Sequence, residues 1–242
     1  MYLKKTIIYG NRIEIIKYHS SRYGVIGEKR AKRSKPSAET VAKNNERLCI
    51  KKLTRLMIAN FDEGDCFLTL TYRPDVRPDA EGAKKALRKF LDGLRAEYRK
   101  VGSELKYIAV TEWRKKSIHH HIVINDAPGL SRMITKHWKA GGIHTTPLFP
   151  DQDYQGLAEY LTKETRETFR DKDNPYRQRY TCSRNLKKPE EHTEVVKAGS
   201  WRQQPTVPAA LKKRGYRLDI DSVSYGIDVF GYPYMTYTMI RS

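Results

Sequence analysis

His119-His120-His121 is the part of this 242-residue chain best suited to chemistry. Alternate residues of an extended segment face the same way, so His119 and His121 share one side of Ser-Ile-His-His-His-Ile-Val-Ile-Asn and His120 takes the other. Two imidazoles so spaced, joined by a carboxylate from a neighbouring strand such as Glu112, form a mixed nitrogen and oxygen set suited to a divalent metal. Tyr160 and Lys163 follow at a spacing of three, which brings them together on a helix. A metal set, a tyrosine and a lysine in a strongly basic chain point to chemistry on a phosphodiester.

Each residue also has a plainer reading. A single histidine is more often a hydrogen-bonded core or surface residue, but three in an otherwise apolar strand are costly to bury without partners. Sixteen tyrosines occur, so most must pack or stack. Tyr160 is set apart by Lys163 one turn later. A phenol is a poor nucleophile near its ordinary pKa of about 10; a nearby cation favours phenolate, and a metal on the phosphate raises its electrophilicity. Tyr154, six residues earlier, is the competing nucleophile but lies on another helical face. Thr69 and Thr71 share one face of their strand, with packing as the plain reading and support of the site as the alternative. His19, His137, His144 and His192 show no comparable pattern.

The elements that must position these residues are legible in the middle of the chain. Phe67-Leu-Thr-Leu-Thr-Tyr72 alternates and is rich in strand formers. Residues 80–100 place Ala83, Leu87, Phe90, Leu91, Leu94 and Tyr98 on one helical stripe. Strands follow over 105–113 and 118–124, joined by a short turn that implies an antiparallel hairpin. Leu130, Ile134 and Trp138 mark a helix closed by Gly141-Gly142. A strand over 143–149 is interrupted at Pro147 and so belongs at an edge. Asp153 can cap a last helix carrying Leu157, Tyr160 and Leu161. The order β-α-β-β-α-β-α predicts an α+β fold with a ferredoxin-like β-α-β-β-α-β core and a central antiparallel sheet.

The flanks are basic. Around Gly10-Asn11, residues 5–18 read as a hairpin. Residues 28–36 carry Lys29, Arg30, Lys32, Arg33 and Lys35, either a solvated linker or a phosphate-contacting arm. Ser37 can cap a helix bearing Cys49, Leu53, Leu56 and Met57. Residues 176–217 are basic and irregular, with Arg177, Arg179, Arg184 and Lys187 as candidate phosphate contacts; 216–239 suggest short strands. The expected division is an N-terminal region 1–60, a core 61–170 and a basic C-terminal extension 171–242.

Lys and Arg number 47 against 28 Asp and Glu, a formal charge of +19. That balance speaks for a nucleic-acid partner. No apolar run approaches membrane-spanning length, no cleavable leader is visible, and three scattered cysteines suit a reducing cytoplasm. No Gly-x-x-x-x-Gly-Lys-[Ser/Thr] run occurs, so an ATP-driven helicase is not expected.

Together these residues resemble the HUH endonuclease superfamily, specifically the rolling-circle replication initiators of small phages, plasmids and prophage-like elements. Phe67-Leu-Thr-Leu-Thr-Tyr72 looks like the first family motif, His119-His120-His121 the second, and Tyr160-Leu-Thr-Lys163 the third, Tyr-x-x-Lys; the resemblance spans roughly 66–168. Cys182-Ser-Arg-Asn-Leu-Lys-Lys-Pro189 resembles a segment that often follows in phage-type members. His120 departs from the apolar or aromatic residue usual between the two histidines. That departure leaves open which two bind metal, with strand parity favouring His119 and His121. The resemblance implies Mg²⁺ or Mn²⁺ as cofactor and single-stranded origin DNA as substrate. It further implies attack by Tyr160 to give a 5′-phosphotyrosine and a free 3′-OH, and host helicase and polymerase as partners in a bacterial cytoplasm. A small transposase or a relaxase uses the same chemistry. A non-catalytic nucleic-acid-binding module on the same fold is the alternative of another class, but its stacking aromatics are not evident on the first strand.

Overall fold

The computed structural model describes residues 1–27, 37–112, 118–149, 153–165, 178–201, 203–228 and 230–241. It opens with a hairpin, β1 (Tyr2–Tyr9) and β2 (Arg12–His19), turning at Gly10-Asn11. Helix α1 (Ala38–Ile58) precedes β3 (Cys66–Thr71), α2 (Ala80–Lys100), β4 (Tyr107–Glu112) and β5 (His119–Ile124). Then come α3 (Leu130–His137), β6 (Ile143–Pro147), α4 (Tyr154–Glu164) and the short β7 (Thr181–Cys182). The chain ends with β8 (Glu190–Val196), two single-turn helices α5 (Ala198–Trp201) and α6 (Ala209–Lys212), and a hairpin of β9 (Tyr216–Ile227) and β10 (Pro233–Arg241).

The protein is α+β. Contacts group it into two compact units, Met1–Ala38 with Lys188–Ser242, and Glu39–Lys187. The expected boundaries at 60 and 170 follow composition; contacts instead join the two ends of the chain. In the first unit, β8-β1-β2-β10-β9 form one antiparallel sheet. Ile13, Ile15, Met235, Tyr237 and Met239 line its core beneath Val207. The expected short strands over 216–239 are therefore one long hairpin. A further strand, β8, lies in the stretch expected to be irregular.

The second unit holds the ferredoxin-like core. Its sheet order is β6-β3-β5-β4-β7, every described pairing antiparallel. The strands of the β-α-β-β-α-β run thus interleave, with β3 and β5 central and β6 at an edge, as Pro147 required. The helical stripe predicted for α2 is its buried face: Ala83, Leu87, Phe90, Leu91, Leu94 and Tyr98 are all buried. Asp79 caps α2 by accepting from the Gly82 N–H. This face and α3 pack on Leu68, Leu70, Ile122 and Ile124 of the sheet. Truncating such a residue costs about 2–5 kcal/mol. On the other sheet face, Leu53, Leu56 and Met57 of α1 and Ala158 and Leu161 of α4 cover Ile108, Val110 and Val123. Cys49, expected on the α1 stripe, is only half-buried.

One expectation changes its reason. Gly141-Gly142 does not close α3, which ends at His137 with the Trp138 N–H donating to the Ile134 carbonyl. The glycines let the chain pass close against β3: a Cβ on Gly141 would collide with the Thr71 carbonyl. Thr71 is fastened there, its N–H donating to the Gly142 carbonyl at 3.0 Å and its hydroxyl accepting from the Gly142 N–H at 3.1 Å. Thr71 therefore takes the packing role.

Candidate metal centre

Register decides which side chains converge. In the β4–β5 hairpin Glu112 lies directly opposite His119, and Val110 opposite His121. Across the other side of β5, Thr71 faces His119 and Thr69 faces His121. Residues in register share a sheet face, so Glu112, His119, His121 and Thr69 form one patch.

Within it, His119 Nε2 lies 3.0 Å from Glu112 Oε2. One ligand atom from each of Glu112, His119 and His121 lies within 4.8 Å of the others. The two histidine rings meet edge to face, centroids 4.7 Å apart. Glu112 and His121 are both buried, at 3% exposure; His119 is half-buried. Among the described residues this is the one group of three or more such side chains that could hold a metal ion.

The donor set fits a divalent cation. A buried carboxylate demands a compensating charge or hydrogen bonds, and two neutral imidazoles beside it supply nitrogen lone pairs. Three protein donors leave coordination positions open to water or phosphate oxygens. Outer partners orient the ligands. Thr69 Oγ1 is 3.2 Å from His121 Nδ1; as acceptor from that N–H it leaves the Nε2 lone pair available. The Phe67 ring stacks on His121 at 5.5 Å and 10°. Phe67, buried-looking in sequence, is half-buried here and serves as that platform.

His120 points the opposite way, as alternation requires. It is fully buried and hydrogen-bonded on both ring nitrogens, to the Tyr72 hydroxyl and to Thr111 Oγ1, each at 2.8 Å. Trp138 meets its ring edge to face. Burial, reinforced by the neighbouring His119 and His121, pushes its pKa down to about 3. A neutral imidazole between two hydroxyls is a core polar pair of bonds, on the sheet face away from the Glu112 patch.

Tyr160 reaches the patch from α4. Its hydroxyl lies 3.2 Å from His121 Nε2, and the ring meets that of His121 at 5.2 Å. It is nonetheless 42% exposed, so a substrate can approach it. Asp153 starts this helix by accepting from the Gly156 N–H, and Leu161 and Ala158 anchor it. Lys163 is exposed in the last turn. Tyr154 is placed differently: its hydroxyl donates to the Phe61 carbonyl at 2.6 Å, and its ring packs in the α1/α4 core.

The candidate phosphate contacts are dispersed. Lys29, Arg30, Lys32, Arg33 and Arg177 lie outside the described residues. Arg179 is half-buried, its charge acting on the Cys49 thiol. Arg184 is exposed beyond β7, and Lys187 is exposed with its backbone clasped by Asn60. Missed in sequence was His144 on β6, in register with Thr69 and so on the patch's side of the sheet. Its signal was positional, two strands from His121, and needs the sheet order to be seen.

Residues 65–165 match the family of replication-associated proteins of the ORF2 and gene II protein type. The match covers β3 to α4, the elements that carry the patch and Tyr160, and it supports a Rep-type replication-associated family for this segment. No curated protein and no solved structure matches the chain. Among the described residues no helix is long and apolar enough to cross a membrane.

Proposed function

We propose that this protein is a metal-dependent endonuclease and strand transferase that nicks and rejoins single-stranded origin DNA through Tyr160, initiating rolling-circle replication. The observation that carries the reading is the exposed Tyr160 hydroxyl 3.2 Å from a histidine of the Glu112–His119–His121 group. The replication-associated match over residues 65–165 supports it independently.

Glu112, His119 and His121 would hold Mg²⁺ or Mn²⁺, whose chemistry there is to polarise a phosphodiester and stabilise the charge that develops on its oxygens. Tyr160 is the nucleophile. Its oxygen bonds to phosphorus while the bond to the 3′-oxygen breaks, leaving a 5′-phosphotyrosine and a free 3′-OH. The phosphodiester energy is kept in the tyrosyl link, so rejoining needs no ATP. Lys163, one turn on, adds positive charge that favours phenolate. Thr69 and Phe67 hold the His121 ring in orientation. Host helicase and polymerase would extend the 3′-OH.

The test is mass spectrometry of the protein after incubation with Mn²⁺ and a library of single-stranded oligonucleotides. A nucleotide adduct on the Tyr160 peptide is expected, absent from Tyr160→Phe, which should still fold and bind metal. Mapping to Tyr154 would overturn the nucleophile. Cleavage without any adduct would make the enzyme a hydrolytic nuclease instead.

A further inference from the structure

At the far end of β4 from Glu112, the second unit carries a groove of about 600 Å³ between α2 and the segment around β7. Five residues separate Tyr107, which lines it, from Glu112, so it lies about 17 Å along the strand from the metal group. Three arginines line it: Arg95 and Arg99, one turn apart on α2, and Arg184 from the opposite wall. Asp92 occupies Arg95 through an ion pair. Arg99 and Arg184 are exposed, and among the described residues neither has an ion-pair partner. The acidic lining residue, Glu104, accepts a hydrogen bond from Asn185 Nδ2 at 3.2 Å. The groove therefore offers two uncommitted guanidinium groups facing each other across a polar cleft.

The wall bearing Arg184 is built in place. The Ser183 N–H donates to the Tyr107 carbonyl at 3.0 Å, and Ser183 Oγ accepts from the Tyr107 N–H at 3.1 Å. Asn185 Nδ2 also donates to the Leu105 carbonyl at 3.2 Å. Residues 182–185 thus form a preorganised rim instead of a loose basic tail. Guanidinium groups pair with phosphate oxygens by forked, charge-assisted bonds.

We propose that this groove is a phosphate-binding subsite, with Arg99 and Arg184 clamping a phosphodiester of a single-stranded nucleic acid away from the point of cleavage. It rests on the function proposed above only for the identity of the ligand. Its role is positional: a second hold on the strand, on the α2 side of the sheet, that reads backbone and not sequence.

The test uses the full chain in EDTA, so that binding is read without cleavage. Anisotropy of a fluorescent single-stranded oligonucleotide is measured against salt for wild type, Arg99→Gln/Arg184→Gln and Arg99→Lys/Arg184→Lys. A control, Lys85→Gln/Lys89→Gln, removes two exposed charges from α2 outside the groove. Losing two phosphate contacts should lower the log–log salt slope by about 1.4 for the Gln pair. The loss of affinity should be alike across sequences, and the Lys pair should keep most of the slope. An unchanged slope, or an equal drop in the Lys85/Lys89 control, overturns the subsite. Thermal shift with inorganic phosphate separates the sources. If the Gln pair loses a phosphate-induced shift while its oligonucleotide slope is unchanged, the ligand is a free phosphate and the nucleic-acid assignment falls. Failure of the nuclease reading shows separately, as absence of the Tyr160 adduct.

Discussion

Replacing the three histidines one at a time separates the metal from the core. His120→Ala removes two 2.8 Å hydrogen bonds from a fully buried site. Each costs about 1 kcal/mol if the hydroxyl finds another partner and up to about 3 if it stays unsatisfied. The lost ring contacts with Tyr72 and Trp138 add on the order of 2 kcal/mol by analogy with other core truncations. The expected total is about 4–6 kcal/mol, a Tm drop on the order of 10–20 °C for a chain of this size. His119→Ala and His121→Ala should do something else: abolish the rise in Tm that saturating Mn²⁺ produces, worth about 2.7 kcal/mol at a hundredfold excess over Kd. Calorimetry of each variant with EDTA and with Mn²⁺ reads both effects, and the metal increment is a difference that survives any change of baseline. Loss of the increment in His120→Ala with its retention in His119→Ala would refute the assignment. Acid adds a second readout. His120 titrates near 6.5 when unfolded and near 3 when folded. The unfolded state therefore binds the extra proton between those values, and stability falls as pH drops from about 6.5 to about 3. His120→Phe fills the space without titrating and should flatten that limb.

Thr69→Val keeps the shape of β3 but removes the hydroxyl 3.2 Å from His121 Nδ1; Mn²⁺ affinity, read by calorimetric titration, should weaken about 10–100-fold, and an unchanged affinity would make Thr69 a packing residue. Neutralising Lys29, Arg30, Lys32 and Arg33 together should lower the salt slope of single-stranded DNA binding by up to about 2.8; an unchanged slope returns that run to a solvated linker.

What could be read without coordinates depended on how local the determinant is. The α2 stripe was legible because six large residues at helical spacing leave one face to bury, and all six are buried. The division of His119 and His121 from His120 was legible for the same reason, since strand alternation is a property of three consecutive residues. The partner of those histidines was not. A connection over 113–118 admits more than one register, and a shift of one residue would set Thr111, not Glu112, on their face. The structure places Glu112 opposite His119 and gives Thr111 to His120, so one register supplies both the carboxylate the pair needs and the hydroxyl the buried imidazole needs. That double match is physically demanding: in the slipped register a carboxylate would face the apolar α2 core and His120 would lose a partner.

The first unit was less legible because its pairings are remote. β8 reads Glu-Glu-His-Thr-Glu-Val-Val, charged and exposed, and earns its place as an edge strand by pairing with β1 from the other end of the chain. Lys4–Glu194 at 2.8 Å and Lys5–Glu191 at 2.6 Å tie the two strands, a complementarity invisible until the register is known. Such charges on an edge also discourage further strand addition. The same logic holds at β7: Thr181-Cys182 is too short to announce itself, yet its pairing with β4 carries the backbone that sets Arg184 across from α2. In both places a short or polar edge strand has no hydrophobic pattern of its own. Its position is set by the backbone hydrogen bonds of its neighbour, and so is the position of every charged group it carries.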